Sequence, residues 1–187
     1  MSTPAHLARP RRGRVATSAG VLLATSGFSR PRRGKPPVVI EVKLHVPATP
    51  DEVFAVLADG WSYAGWVVGA SHIRQVDTGW PRVGTRIHHS LGAWPVQVKD
   101  TSTARAGEPG RFLELDAGLW PLGQARIRLE LTEVAGGTDV LMAEEITRGP
   151  LGLLPKPVQA LFLAPRNRES LRRLAALAVR RESGADF

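Results

Sequence analysis

Residues 46–66 read VPATPDEVFAVLADGWSYAGW, a passage from an alternating segment into a helix start, a helix stop and three large aromatics. Thr49 is placed to cap the helix, and Pro50 suits the first helical position. Asp51 and Glu52 favour the positive end of the helix dipole. Val53, Phe54, Val56 and Leu57 supply an apolar face, and Asp59 with Gly60 ends the helix. WSYAGW then predicts a second short helix or turn. The chain of 187 residues holds five Trp, five Phe and one Tyr, so Trp61, Tyr63 and Trp66 are a concentration. Either these rings plug a core, or they line the mouth of a cavity.

Strand signals surround this stretch. In 38–46, Val38, Ile40, Val42, Leu44 and Val46 alternate with Glu41, Lys43 and His45. Further strands are predicted at 70–77, 84–91, 94–102, 111–117, 124–134 and 138–147, with Gly, Pro and Asp marking turns between them. Their close spacing predicts a mainly antiparallel sheet of hairpins and meanders. The clearest is 124–134, where Ala125, Ile127, Leu129 and Leu131 face inward. From residue 156 the period changes to helical, with Val158, Leu161, Phe162, Leu171, Leu174, Ala175 and Ala178 near one side. Arg172, Arg173, Arg180 and Arg181 sit on the exposed side and near the carboxyl end. Pro165 is expected to kink or restart this helix.

The order is strand, two short helices, six strands, long helix: an α+β chain with a curved seven-stranded sheet around its C-terminal helix. One helix does not fill the concavity of such a sheet, and the gap left between them suits an apolar ligand. Trp61, Tyr63, Trp66, Ile127, Leu129, Met142, Leu161 and Phe162 are expected to face that gap. Trp94 and Trp120, at strand or loop ends, are expected to rim it.

The net charge of +8 is not spread over the chain. Residues 1–36 hold Arg9, Arg11, Arg12, Arg14, Arg30, Arg32, Arg33 and Lys35 and no acid. Removing those eight leaves 17 acidic residues balanced by as many basic ones, which gives no basis for a nucleic-acid-binding face. Residues 1–36, with RPRRG at 9–13 and again at 30–34, read as a disordered basic tail, and 37–183 as a ligand-binding domain. Contact of the tail with an anionic surface stays open. So does a twin-arginine export signal, although its apolar centre of about six residues is short for one. The chain has no cysteine, which excludes disulfides, a thiol nucleophile and thiolate metal sites and fits a cytoplasmic protein. A monomer or weak dimer is expected.

The order of elements, together with VPATPDEVFAVLAD (46–59) followed by Trp66, VGT (83–85), GGTDV (136–140) and SLRRLAALA (170–178), resembles the polyketide cyclase/dehydrase and lipid-transport family. That family lies within the START/Bet v 1-like helix-grip superfamily. The resemblance covers roughly residues 38–181 and implies a cavity between sheet and C-terminal helix, closed at one end by the segment after the first helix. It implies no fixed catalytic set, since its members include binding proteins, lipid carriers and cyclases.

His89 and Glu144 are the candidates for chemistry. Adjacent strand residues point to opposite faces, so Ile87, His89 and Leu91 share one face and His88 takes the other. An inward His89 can move protons near neutral pH, though such a histidine is more often merely hydrogen-bonded. Val140, Met142, Glu144 and Ile146 share a face, so Glu144 either faces the cavity as a proton-transfer partner for His89 or pairs with an arginine such as Arg126 or Arg128. His72, His88 and His89 lack a metal-ligand pattern, so no metal is expected. There is no nucleophile elbow, P-loop or dinucleotide fingerprint, and no cofactor is expected. The leading function is binding of a hydrophobic small molecule such as a lipid, isoprenoid or aromatic polyketide. The alternatives are a cofactor-free cyclase or dehydratase and a regulatory interaction module.

Overall fold

The computed structural model of the chain describes residues 38–92, 98–119, 121 and 123–184, with side chains described as far as residue 181. The chain divides into two units, Met1–Gly34 and Lys35–Phe187, and all described residues belong to the second. The predicted tail, Trp94 and Trp120 lie outside the described residues.

The elements are β1 (Val39–Val46), α1 (Pro50–Ala58), a 3-10 turn (Gly60–Ser62), α2 (Tyr63–Trp66), β2 (Ala70–Val76) and β3 (Arg86–Leu91). They continue as β4 (Val98–Glu108), β5 (Phe112–Gly118), β6 (Gln124–Val134), β7 (Gly137–Arg148), a 3-10 turn (Pro150–Leu153) and α3 (Lys156–Gly184). The strands form one sheet in the order β1-β7-β6-β5-β4-β3-β2, with every pairing antiparallel. From β2 to β7 this is a meander, and β1 closes the far edge on β7. The alternation seen in the sequence carries over: Ile40, Val42 and Val46 are buried on β1, and Ala125, Ile127, Leu129 and Leu131 on β6. This is the helix-grip arrangement, a curved antiparallel sheet against a long C-terminal helix.

Strand β4 is longer than the predicted 94–102, because it runs on through Thr103, Ala104, Arg105, Ala106 and Gly107 to Glu108. Alanine, arginine and glycine carry little β preference of their own. Pairing with β5 on one side holds them extended.

Helix α1 starts as its sequence dictates. The Thr49 side chain accepts from the Glu52 amide at 3.3 Å, and the Thr49 amide donates to Glu52 Oε2 at 2.7 Å, a reciprocal capping box. The Thr49 hydroxyl, which donates to Glu52 Oε2 at 2.7 Å, and then the Thr49 amide hold the Glu52 carboxyl below its ordinary range. The other end of α1 is pinned from outside. Trp80 Nε1 donates to the Leu57 carbonyl at 3.1 Å, and Arg181 donates from α3 to the Ala55 carbonyl at 2.9 Å while pairing with Asp59. Gly60 follows because a Cβ there would stand 2.6 Å from a methyl of Val76.

Helix α3 differs from expectation in its inner face, and at Pro165 it does not restart but runs on continuously. Proline leaves the carbonyl four residues earlier without its helical partner, and that carbonyl belongs to Leu161, on the exposed side where water can serve it. The inward stripe is different: Gln159, Leu163, Asn167, Ser170, Leu171, Leu174 and Ala178 are buried. Leu161 is 70% exposed and Phe162 58% exposed, so the expectation that both face the interior is corrected. Leu161 lies about 160° around the helix from the buried Leu163. Polar residues had hidden the true inner face from a reading based on hydropathy.

The main core joins α1, α2 and the second half of α3 to the inner face of the sheet. A smaller cluster of Ile40, Leu151 and Leu163, with Val38 packed against it, sits at the start of α3.

Candidate functional site

Two groups of buried polar residues lie among the apolar side chains between sheet and helices. The first centres on His89 of β3. Its Nε2 is 3.1 Å from Ser102 Oγ on β4, and Ser102 Oγ is 2.7 Å from the Tyr63 hydroxyl of α2. The Tyr63 and His89 rings lie 5.3 Å apart, and Trp66 meets Tyr63 edge-on at the same separation. His89, Ser102, Tyr63 and Trp66 are all buried.

Burial pushes the His89 imidazole below its ordinary 6.5, with Asp100, its cross-strand neighbour, acting in the opposite sense. Burial likewise raises the Tyr63 phenol above its usual range, against the effect of the Ser102 hydrogen bond. The relay is therefore a neutral imidazole, a hydroxyl and a protonated phenol. Two atoms beside it have no regular hydrogen-bond partner, His89 Nδ1 and Asp100 Oδ2. An unpaired buried polar atom is costly, so these are positions where a polar atom of a bound molecule would be favoured.

This environment has a consequence for stability. An unfolded His89 takes up a proton as pH falls through about 6.5, whereas the folded one, with its lowered pKa, does not until lower pH. The unfolded state then binds more protons, so stability falls across that interval and is unaffected above it. Melting curves should show a larger acid-induced loss for the native protein than for His89→Asn between about pH 7.5 and about pH 5.5. Equal slopes would mean that His89 takes up a proton as readily in the folded state as in the unfolded one.

The second group joins β7 to α3. Glu144, fully buried, accepts from Asn167 Nδ2 at 2.6 Å and from Arg166 Nη1 at 3.2 and 3.3 Å. Arg166 Nε donates to the Val68 carbonyl, and the Val68 amide donates to Ser170 Oγ at 3.1 Å. One network thus fixes α3 to the sheet and to the segment leaving α2. Of the two alternatives for Glu144, pairing with an arginine is the one formed: His89 is hydrogen-bonded to Ser102, and Glu144 to Arg166 and Asn167. The cation beside Glu144 comes from α3. Arg126 and Arg128 point to the opposite face of the sheet, where they pair with Asp116, Glu114 and Glu130.

The remaining expected residues divide. Ile127, Leu129 and Met142 are buried in the same core as Tyr63 and Trp66. Trp61 is 63% exposed, so the three opening aromatics do not act as one wall. His88 points away from His89 and approaches Asp77 at 3.3 Å. Trp80, Ser102, Arg166 and Asn167 were not singled out from sequence; only Trp80, as a large aromatic, carried a signal that could have found it. Among the described residues, no group of three or more metal-ligating side chains is gathered. Of two open grooves, one of about 640 Å³ along β3, β4 and β5 is lined by Asp100 but not by His89, Ser102 or Tyr63, and one of about 720 Å³ beside the start of α1 includes neither buried group.

The fold and its buried polar cluster place the chain in a class of proteins that grip a long helix in a curved sheet. The chain belongs to the polyketide cyclase/dehydrase and lipid-transport family, which it matches over residues 37–179. Comparison with curated proteins gives no match. Among solved structures, it is similar to the di-domain ARO/CYC StfQ from the steffimycin biosynthetic pathway. There the TM-score is 0.62 at 14% identity, covering 78% of this chain and 52% of that one. It is also similar to Ara h 8.0201 (TM-score 0.57, 14% identity, 75% and 97% covered). A Rhodobacter sphaeroides protein gives a TM-score of 0.60 at 23% identity, with 78% and 95% covered. At these identities the likeness is one of fold.

Proposed function

We propose that this protein binds a hydrophobic small molecule, such as a lipid, isoprenoid or aromatic polyketide, between the sheet and α3. The observation that carries the proposal is the buried His89–Ser102–Tyr63 relay beside the apolar core, which leaves His89 Nδ1 without a regular side-chain hydrogen-bond partner. Apolar surroundings favour the body of such a ligand, and the unpaired nitrogen favours a hydroxyl or carbonyl on it. Family membership supports the same reading, since its description includes lipid transport. No helix among the described residues is long and apolar enough to cross a membrane, and a cytoplasmic location with monomeric or weakly dimeric protein belongs to this proposal.

An apolar fluorescent probe should bind saturably near one per chain and quench tryptophan emission, and His89→Leu should weaken ligands that carry a polar group more than purely apolar ones. Native mass spectrometry of protein taken from its host should show a co-purifying mass. A bare mass together with no saturable probe binding would sink the proposal.

The second reading is cofactor-free cyclisation or dehydration, and the continuous hydrogen-bond chain from His89 through Ser102 to Tyr63 favours it. A neutral imidazole, hydrogen-bonded through Ser102 to a protonated phenol, suits general base and acid roles. Under that reading His89→Gln removes turnover of an enolisable polyketide while probe binding persists.

A further inference from the structure

The buried relay has a direction, which fixes where each of its hydrogens lies. Among the described residues, the Tyr63 hydroxyl has Ser102 Oγ as its hydrogen-bond partner, at 2.7 Å. Tyr63 is buried, so its hydrogen goes to Ser102 Oγ; the reverse direction would strand it without an acceptor. Ser102 then gives its own hydrogen to His89 Nε2 at 3.1 Å. A neutral imidazole that accepts at Nε2 carries its proton on Nδ1.

Asp100 stands directly opposite His89, so the two side chains share the inner face of the sheet with Cβ atoms about 5 Å apart. Asp100 Oδ1 accepts from the Thr101 amide at 2.7 Å, whereas Oδ2 is buried without a partner. Gly118 lies against this carboxylate, where a Cβ would overlap it. Among the described residues, no cation pairs with it. Arg74, from the neighbouring strand, donates instead to the carbonyls of His89 and Asp100 at 3.1 and 3.3 Å. Arg166, which reaches the buried Glu144, is committed there and to Asn167 and the Val68 carbonyl.

Two polar atoms on facing residues are therefore open. His89 Nδ1–H is a donor without a regular side-chain partner, and Asp100 Oδ2 is an acceptor without one. Among the head groups of an apolar molecule, a hydroxyl answers both, accepting from Nδ1 and giving its own hydrogen to Oδ2. An ether or ketone answers only the donor. A carboxylate offers Oδ2 no hydrogen and sets a second negative charge beside Asp100, with no uncommitted cation among these residues to offset it.

We propose that Asp100 selects the ligand of the interior, and that this ligand is an alcohol or phenol, not a carboxylic acid or a hydroxyl-free lipid. This selectivity rests on the reading that the interior takes an apolar molecule, and it narrows that molecule to hydroxyl-headed ones.

Decanol, decyl methyl ether and decanoate, each displacing an apolar fluorescent probe at neutral pH, test it. The native protein should bind decanol about tenfold or more tighter than the ether, and decanoate most weakly. In Asp100→Ala the advantage of decanol should vanish while the ether binds as before. Asp100→Asn keeps an oxygen in place without the charge, so it should retain part of that advantage and bind decanoate better. Thr103→Val, which alters the outer groove on the same strand, should leave all three affinities unchanged.

Equal affinities for decanol and its ether in the native protein overturn the proposal. So does a preference for decanol that survives Asp100→Ala, or one that Thr103→Val removes. If Asp100→Ala loses the ether as well, Asp100→Asn decides, and an unchanged margin between alcohol and acid there overturns the role of Asp100. Ether binding without a preference for the alcohol sinks this role alone, whereas failure of all three to displace the probe sinks interior binding and the selectivity with it.

Discussion

Replacing Arg166 with methionine should destabilise the fold by about 3 kcal/mol or more, with a midpoint shift in urea at unchanged slope. Glu144 is fully buried, and among the described residues its hydrogen-bond donors are Arg166 and Asn167. Without the guanidinium, one neutral amide remains to offset a carboxylate removed from water. Removing one member of a buried pair costs more than the pair itself is worth, because the surviving charge is left uncompensated. The Val68 carbonyl loses its donor as well, which loosens the segment after α2. Glu144→Met combined with Arg166→Met should recover most of the loss, since two apolar side chains of similar volume replace the pair. The double-mutant cycle should give a coupling of about 1–3 kcal/mol. A loss below about 1 kcal/mol for Arg166→Met would show that water reaches Glu144 and that the β7–α3 junction is held by packing instead.

Elements with a strong local signal were legible before the structure. The Thr49 cap of α1, the strict alternation of β6 and the inward turn of His89 each depend on neighbours in sequence. So did the orientation of Glu144, which shares its face with Val140 and Met142. What escaped were partners brought from a distance. Nothing near Glu144 announces Arg166, and Ser102 is one hydroxyl in a run of polar residues until pairing sets it beside His89 and Tyr63. The inner stripe of α3 was misread for a related reason. Asn167 and Ser170 are buried because they bond Glu144 and the Val68 amide, and a scale that scores side chains alone places them outside. Leu161 and Phe162 were assigned inward by the same scale, yet their positions on the outer face are set by helix geometry.

Trp66→Ala should cost roughly 3–5 kcal/mol, whereas Trp61→Ala should stay within about 0.5 kcal/mol. The two residues begin and end the same short aromatic run, but their surroundings differ. Trp66 is buried in the main core against Tyr63, while Trp61 is largely exposed. Truncating Trp66 removes a large apolar group and opens a void that rigid strand and helix neighbours fill only partly. Tyr63→Phe should fall between the two, about 1–2 kcal/mol, because it keeps the ring and removes only the hydroxyl that bonds Ser102. That substitution also leaves the Ser102–His89 hydrogen bond without its third member, so the acid-side loss of stability should change in Tyr63→Phe and persist in Trp61→Ala. Denaturant unfolding of the three variants decides between the two roles raised by the sequence. The order Trp66, Tyr63, Trp61 makes the run a core plug that also builds one wall of the polar cluster. Similar small losses at Trp66 and Trp61 would mean that the Trp66 ring stands in a space with room to move, and the core assignment would fall.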